Sequence, residues 1–323
     1  MDNSQQIDAP HPAPQQSAGV RWLRRVFVGD QGIRAGWSVL LFAAIIWGLQ
    51  TIANAVLGRF VSLDVSGPAP LGLGLLMESC DLLVVAAVTW VMARIENRPL
   101  LAYGYTDDRK LIRLASGGLL GFLCLSVLVA VLWEARLLVF EGVSLSGLLA
   151  CKYAIGWGLL FLVVGFFEES LLRGYAQYTL SRGIGFWWGA LVLSIVFALG
   201  HLRNAESTLG LIEVGLTGLI FCLSLWYTKS LWWAVGFHAG WDWGQSYFYG
   251  TPDSGLLIEG HLLASHPAGN PLWSGGTVGP EGSPLVVFLL VMVGILMWMW
   301  WGVGKKRGGE ATRSRTMLNL GSQ

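Results

Sequence analysis

The chain has 323 residues, of which 54% are apolar and only 13% are charged, and its formal net charge is +1. An average soluble domain carries about 25% charged residues, and the mean hydropathy of +0.57 likewise excludes an ordinary water-soluble protein. The small net charge gives no indication of a nucleic-acid partner.

Both ends of the chain are predicted to be tails outside any membrane helix. Residues 1–20 are rich in Pro and Gln and contain no apolar run, a composition typical of a disordered segment. Basic residues follow, so that 1–35 is predicted to be a basic N-terminal tail. The last twenty residues, 304–323, are also basic and are predicted to be a C-terminal tail.

Between the tails, apolar stretches recur at the length that crosses a hydrocarbon core, about 20 residues each. Eight membrane helices are predicted, at 37–57, 71–95, 112–138, 153–181, 184–204, 208–228, 231–248 and 285–303. The chain then divides into helices 1–3 (36–149), a chemically distinctive part (150–250), a long loop (251–284) and a last helix (285–303). The predicted fold class is an all-α, polytopic transmembrane helix bundle of about eight spans.

The distribution of Lys and Arg predicts the orientation, because both prefer the cytoplasmic ends of short loops. An even number of spans brings both termini to one side, and both termini are basic. The loop 251–284 has no Lys or Arg and is expected outside. We therefore expect a multi-pass protein of the plasma membrane with cytoplasmic N and C termini. The loop histidines, His261 and His266, are interpreted as solvated residues rather than metal ligands.

Ionisable side chains inside a bilayer are unfavourable by about 2.5–3.5 kcal/mol on insertion scales, so each is a candidate functional residue. Glu78 and Asp81 share one face of the second helix, which suggests either packing or an ion path. Glu134 and Arg136 lie near an outer helix end, within reach of the interface. Glu213 is assigned to the first turns of its span, where a charge is also tolerated.

A denser group of ionisable residues comes from three helices in the later half of the chain. It consists of Glu168, Glu169, Arg173, His201, His238 and Asp242. Spacings of four residues place Glu169 with Arg173, and His238 with Asp242, on shared helix faces. Counted from the inner turns at 1.5 Å per residue, the group lies at heights of roughly 14–27 Å. We therefore expect these side chains to converge within the membrane.

The group contains what amide hydrolysis requires: a base for water, a donor for the oxyanion and an acid for the leaving amine. Glu168 and His201 are the candidates for activating water. His238, oriented by Asp242, is the candidate oxyanion donor. Glu169, held by Arg173, would stay ionised.

Other chemistry is compatible with the same residues. Glu169, His201 and His238 resemble the two-His, one-Glu ligand set of a catalytic zinc site. The expectation is thus no cofactor or one divalent metal, such as zinc. A transporter or channel that uses the intramembrane carboxylates, or a charge network that only fixes helix packing, are the alternatives to catalysis.

At these residues the sequence resembles the CPBP family of CAAX proteases and bacteriocin-processing enzymes, also called Abi proteins. That family is marked by E-E-x-x-x-R, F-x-x-x-H and H-x-x-x-N/D on successive transmembrane helices. Here the motifs comprise Glu168, Glu169, Arg173, Phe197, His201, His238 and Asp242, and the resemblance covers about 150–248. It implies an intramembrane endopeptidase in a lipid bilayer, acting on a membrane protein or peptide, in a bacterial plasma membrane.

The resemblance also implies roles. Glu168 with His201 would activate water, and His238 with Asp242 would form the oxyanion site. The family has been described both as metalloproteases and as metal-independent glutamate proteases. Eukaryotic CAAX-processing members carry Asn where this chain has Asp242, so Asp242 is expected either to be protonated or to orient His238. A catalytically idle partner or immunity protein remains an alternative.

Overall fold

Helices account for most of the chain in the computed structural model, which describes residues 26–29, 32–59, 67–202 and 208–303. Within these residues, six helices are long and apolar enough to cross a membrane. The prediction of a polytopic helix bundle is thereby confirmed.

The helix boundaries follow the predicted apolar runs closely. In chain order the helices are α1 (Ala35–Leu57), α2 (Leu71–Ile95), α3 (Lys110–Glu134), α4 (Gly147–Glu169), α5 (Gln177–Ile184), α6 (Phe186–Gly200), α7 (Thr208–Thr228), α8 (Trp232–Asp242), α9 (Pro271–Ser274) and α10 (Leu285–Met297). Two antiparallel pairs of short strands accompany them: β1 (Val28–Gly29) with β2 (Gly32–Ile33), and β3 (Leu138–Val143) with β4 (Leu263–Pro267).

In the described ranges, three π-helical segments extend or join these helices. They are Ser170–Ala176 between α4 and α5, Trp243–Phe248 after α8, and Trp298–Gly302 after α10. As a result α4 and α5 form one helical stretch of 38 residues, Gly147–Ile184. A straight helix of that length would measure about 57 Å, against a hydrocarbon core of about 30 Å. The stretch bends at Gly174, whose ψ of −113° is not helical.

Two of the eight predicted spans are short. The run predicted at 184–204 is α6, a helix of 15 residues. The run predicted at 231–248 consists of the 11 residues of α8 and the six π-helical residues that follow. Both belong to the part of the bundle that carries the predicted catalytic residues.

Helices α3 and α8 are packed so closely that glycine is required between them. A Cβ atom at Gly117 would lie 2.2 Å from the carbonyl oxygen of Trp233, and one at Gly240 would lie 2.1 Å from that of Gly118. Small residues allow helix backbones in a membrane to approach and pack. This contact fixes the position of α8, which carries His238 and Asp242.

The bundle is apolar on its outer surface and contains charged side chains in its interior, as expected for a protein in lipid. Large apolar side chains such as Trp47 and Leu148 are mostly exposed, at 73% and 87%. Charged side chains, in contrast, occur in the interior, including Glu169, Arg173 and Glu213. A soluble helical protein would show the opposite arrangement.

Residues 249–284, here called the cover segment, form an ordered structure over one end of the bundle. Its strand β4 pairs with β3 in an antiparallel register that matches Leu138 with Pro267. The side chain of Glu259 accepts a hydrogen bond from the backbone N–H of Leu71 at 3.0 Å. The backbone carbonyl oxygen of Glu259 accepts another hydrogen bond, from Trp157 Nε1, at 2.9 Å. The segment that the composition identified only as a long loop is thus attached to α2, α3 and α4.

Candidate active site

The site begins where α4 changes from an α-helix to a π-helix. Glu168 and Glu169 are the last two residues of the α-helical part, and Arg173 lies within the π-helical segment. Such π-bulges are frequent at functional sites, because the extra residue in the turn redirects the side chains that follow. The hydroxyl of Ser170 donates to the carbonyl oxygen of Phe166 at 2.5 Å. The hydroxyl oxygen of Ser170 also lies 2.5 Å from the hydroxyl oxygen of Tyr105.

Glu169 and Arg173 form a fully buried ion pair. Nη1 of Arg173 donates to Oε1 of Glu169 at 3.1 Å, and neither side chain has any exposed surface. The guanidinium group also lies over two aromatic rings, 4.5 Å from the centroid of Phe197 and 5.5 Å from that of Phe221. Cation–π contacts of this kind are strongest where water is excluded. Arg173 is therefore fixed by a carboxylate and two rings together.

The same two rings contact the two histidines. Phe197 meets the ring of His201 edge to face, at 4.8 Å between centroids and 77° between planes. Phe221 stacks on the ring of His238 at 5.5 Å and 26°. The phenylalanine of the F-x-x-x-H motif thus lies between Arg173 and His201. Phe221 likewise lies between Arg173 and His238. No sequence motif indicated Phe221, because an aromatic residue on an apolar helix is usually a packing residue.

His201 lies immediately after the last residue of α6. Its Nδ1 is 2.9 Å from the carbonyl oxygen of Phe197. Because a carbonyl oxygen only accepts, Nδ1 carries the proton, and in the neutral ring Nε2 is left with a free lone pair. A ring held in this tautomer is suited to accept a proton or a hydrogen bond from water.

His238 is surrounded by three carboxylates. Its Nδ1 lies 3.4 Å from Oε1 of Glu169. Its Nε2 lies 3.6 Å from Oε2 of Glu168 and 3.5 Å from Oδ2 of Asp242. Both ring nitrogens therefore face acceptors, and a doubly protonated ring can donate on both sides. The structure places Glu168 beside His238, whereas no direct hydrogen bond joins Glu168 to His201 among the described residues.

Glu168, Asp242 and the two histidines His201 and His238 line a cavity of about 400 Å³ inside the bundle. Apolar side chains of α4, α6, α7 and α8 form most of its wall, and the cover segment closes one end with Asp253, Leu256, Ile258 and Glu281. The ionisable residues that line it are Glu78, Glu168, Glu213, Asp242, Asp253, Glu281, His201 and His238. No Lys or Arg of the described ranges is among the lining residues. A mostly apolar cavity with a few convergent polar groups is the usual form of a binding site.

Two carboxylates that the sequence did not assign to the site belong to this cavity. Glu78, interpreted as packing or part of an ion path, lines it, whereas its helix neighbour Asp81 does not. Glu213 lies in the second turn of α7, but its side chain is only 2% exposed. Its predicted position in the first turns of the span is therefore right, but the side chain faces the interior rather than the surroundings of the helix.

Two further carboxyl groups reach the cavity from the cover segment. Asp253 accepts a hydrogen bond from Ser246 Oγ at 3.0 Å, and Glu281 accepts one from the backbone N–H of Ser254 at 2.5 Å. The two carboxyl groups also influence each other electrostatically. Burial raises the pKa of Asp253 to about 6. Burial and the neighbouring Asp253 raise the pKa of Glu281 above its usual range.

The loop histidines lie apart from the site. His266 is about half exposed, with Nδ1 at 2.9 Å from Oε1 of Glu141 on the facing strand. His261 has Nδ1 at 3.3 Å from the carbonyl oxygen of Ile258. Neither of them lines the cavity.

A metal site requires ligands that converge, and the predicted set does not do so. No group of three His, Cys, Asp or Glu side chains in the described part of the chain has an arrangement that could hold a metal ion. Glu169 is engaged by Arg173. In the described structure, no polar atom of His201 contacts Glu169 or His238.

The motifs and the geometry agree with the comparison to known families. Residues 150–244 match the family model described as type II CAAX prenyl endopeptidase Rce1-like. The match covers less than half of the chain but includes the six predicted catalytic residues. Among curated proteins, nothing matches the chain. With the apolar helices around it, the region from 150 to 244 is thus the part of a multi-pass membrane protein that matches a peptidase family, the Rce1-like type II CAAX prenyl endopeptidases.

Proposed function

We propose that this protein is an intramembrane endopeptidase of the glutamate type, which hydrolyses a peptide bond of a membrane-associated protein or peptide. The observation that carries the proposal is the arrangement around His238. A histidine in contact with three carboxylates lies in a largely apolar cavity, with a second histidine in a fixed tautomer on the same cavity. The family match supports the same reaction class.

In the proposed reaction, Glu168 takes a proton from a water molecule while Nε2 of His201 accepts a hydrogen bond from it and orients it. The water oxygen bonds to the carbonyl carbon, and the carbonyl electron pair moves to the oxygen. His238, carrying both protons, donates a hydrogen bond to that oxyanion. The protonated Glu168 then gives its proton to the amide nitrogen, and the electron pair of the oxyanion re-forms the carbonyl bond as the C–N bond breaks.

The Glu169–Arg173 pair has a positioning role in this scheme. Oε1 of Glu169 accepts from Arg173 and faces Nδ1 of His238, so it fixes the orientation of the imidazole ring. Asp242 acts on the other nitrogen of that ring, with Oδ2 at 3.5 Å from Nε2. An ionised Asp242 cannot donate to the oxyanion itself. We therefore assign it to orienting His238.

Chelation and Asp242→Asn together test the metal-free mechanism. Cleavage of a membrane peptide by the purified full-length protein should persist after treatment with a chelator. Asp242→Asn should keep at least about a tenth of the activity, because Asn also presents an oxygen toward His238. Loss of a carboxylate that orients a metal-bound histidine typically reduces metal affinity or activity about 10–100-fold.

The measurement is the rate of cleavage and the metal content of the same sample. Loss of activity with chelator that added zinc restores, together with stoichiometric zinc in the purified protein, would contradict the metal-free mechanism. A protein that cleaves nothing under either condition would contradict the proposed function.

We also propose that both termini are cytoplasmic, in a bacterial plasma membrane, because the Lys and Arg residues cluster at both ends of the chain and in the loops on that side. Reporter fusions after residue 183 and after residue 305 should read as cytoplasmic. A reporter inserted within 255–280 should read as external. A cytoplasmic reading for that last insertion would overturn the orientation and the even number of spans.

A further inference from the structure

The cavity contains more carboxyl groups than the proposed reaction uses. Six carboxyl groups line it: Glu78, Glu168, Glu213, Asp242, Asp253 and Glu281. The reaction assigns roles to two of them, Glu168 and Asp242. Arg173, a cation that the described structure places beside the site, is committed to Glu169. The described part of the protein supplies no Lys or Arg to the cavity wall.

Most of these carboxyl groups have a polar neighbour within the protein. Glu168 and Asp242 contact His238. Asp253 and Glu281 hydrogen-bond to serines of the same end of the cavity. Glu213 differs from them, because its side chain is 98% buried and neither carboxylate oxygen has a hydrogen-bond partner in the described structure. A buried, unpaired carboxylate is strongly unfavourable unless a cation or donor compensates it.

The position of Glu213 separates it from the reacting groups. It lies eight residues before Phe221 on α7, and the ring of Phe221 stacks on His238. Eight residues of helix correspond to about 12 Å. Helix α7 also contacts the turn Pro280–Gly282 of the cover segment. Glu213 lines the same cavity as the reacting groups.

We propose that Glu213 binds a basic side chain, Lys or Arg, of the peptide substrate, an inference that rests on the proposed endopeptidase function. The peptide would place its scissile bond at His238 and its cation at Glu213. An extended chain spans about 12 Å in three to four residues. Glu213 therefore selects cleavage sites that lie three to four residues from a basic residue. Asp81, an intramembrane carboxylate of α2 outside the cavity, has no such role.

The test uses hydrophobic dodecapeptides that are identical except for one position, which holds Lys, norleucine or Glu. The full-length protein in nanodiscs should cleave the Lys peptide with a kcat/KM on the order of 10- to 100-fold above the norleucine peptide, mainly through KM. Glu213→Gln should remove this preference, and Glu213→Lys should shift it to the Glu peptide. Asp81→Asn is the matched control and should keep the preference.

Glu213→Gln decides the inference if Glu213→Lys does not fold, since the amide preserves the shape of the side chain. An unchanged Lys preference in Glu213→Gln would overturn the inference, whether or not the variant is less stable. Binding of the three peptides to the Glu168→Gln variant, which is not expected to cleave them, distinguishes failure of the cation site at Glu213 from failure of the proposed function. If the wild type cleaves no peptide, the endopeptidase function is wrong. In that case a Lys preference in binding that Glu213→Gln removes still supports the cation site, and equal binding of all three peptides overturns it.

Discussion

Replacing Glu168 with Gln, or His201 with Ala, is expected to lower the rate of peptide cleavage by about 10²–10⁴-fold, the usual contribution of a general acid–base group. Gln has the shape of Glu but cannot take a proton from water. Ala removes the free Nε2 lone pair that orients the water. No other group in the scheme can replace either function, because Glu169 is committed to Arg173 and Asp242 contacts His238.

Both variants should still fold. The Glu168 side chain is about one-fifth exposed to the cavity, and its closest polar contact, to His238, is long at 3.6 Å. Cleavage rates should therefore be measured beside the thermal unfolding midpoint, with Asp81→Asn as a carboxylate control outside the cavity. A Glu168→Gln or His201→Ala protein with nearly normal cleavage would show that the water is activated by another group.

The helices were predictable because the thickness of the membrane fixes their length. The predicted spans 71–95 and 208–228 coincide with α2 and α7. The order of the cover segment was not predictable, because it depends on distant contacts such as that between Glu259 and Leu71. The π-helical turn at Ser170–Ala176 was not predictable either. Its residues include nothing that distinguishes it from a continued α-helix except Gly174.

Contacts within one helix were more predictable than contacts between helices. The i, i+4 spacing led directly to the pairs Glu169–Arg173 and His238–Asp242, which are in contact at 3.1 and 3.5 Å. Counting residues gives the depth of a side chain but not its direction around the helix axis. For that reason the sequence paired Glu168 with His201, whereas the structure brings Glu168 next to His238. The burial of Glu213 was missed for the same reason.

Replacing Arg173 with Ala is expected to destabilise the protein by about 3–5 kcal/mol, because it leaves Glu169 as a buried charge without its partner. The change also removes the cation between the rings of Phe197 and Phe221, and these rings contact the two histidines. Cleavage should fall together with stability. The measurement is thermal unfolding of the purified protein, monitored by maleimide labelling of the buried thiols of Cys124 and Cys222.

The double variant Glu169→Gln, Arg173→Met separates the loss of the pair from the loss of one partner. Exchanging both members of a buried ion pair for neutral groups of similar size is often neutral, whereas removing one member is not. We therefore expect the double variant to regain most of the lost stability, to within about 1 kcal/mol of the wild type. The Gln oxygen can still accept a hydrogen bond from Nδ1 of His238, so partial activity should return with it. A double variant as unstable as Arg173→Ala would show that Arg173 stabilises the bundle through the two rings rather than through Glu169. Loss of cleavage in Arg173→Ala at unchanged stability would instead assign the pair to the chemical step.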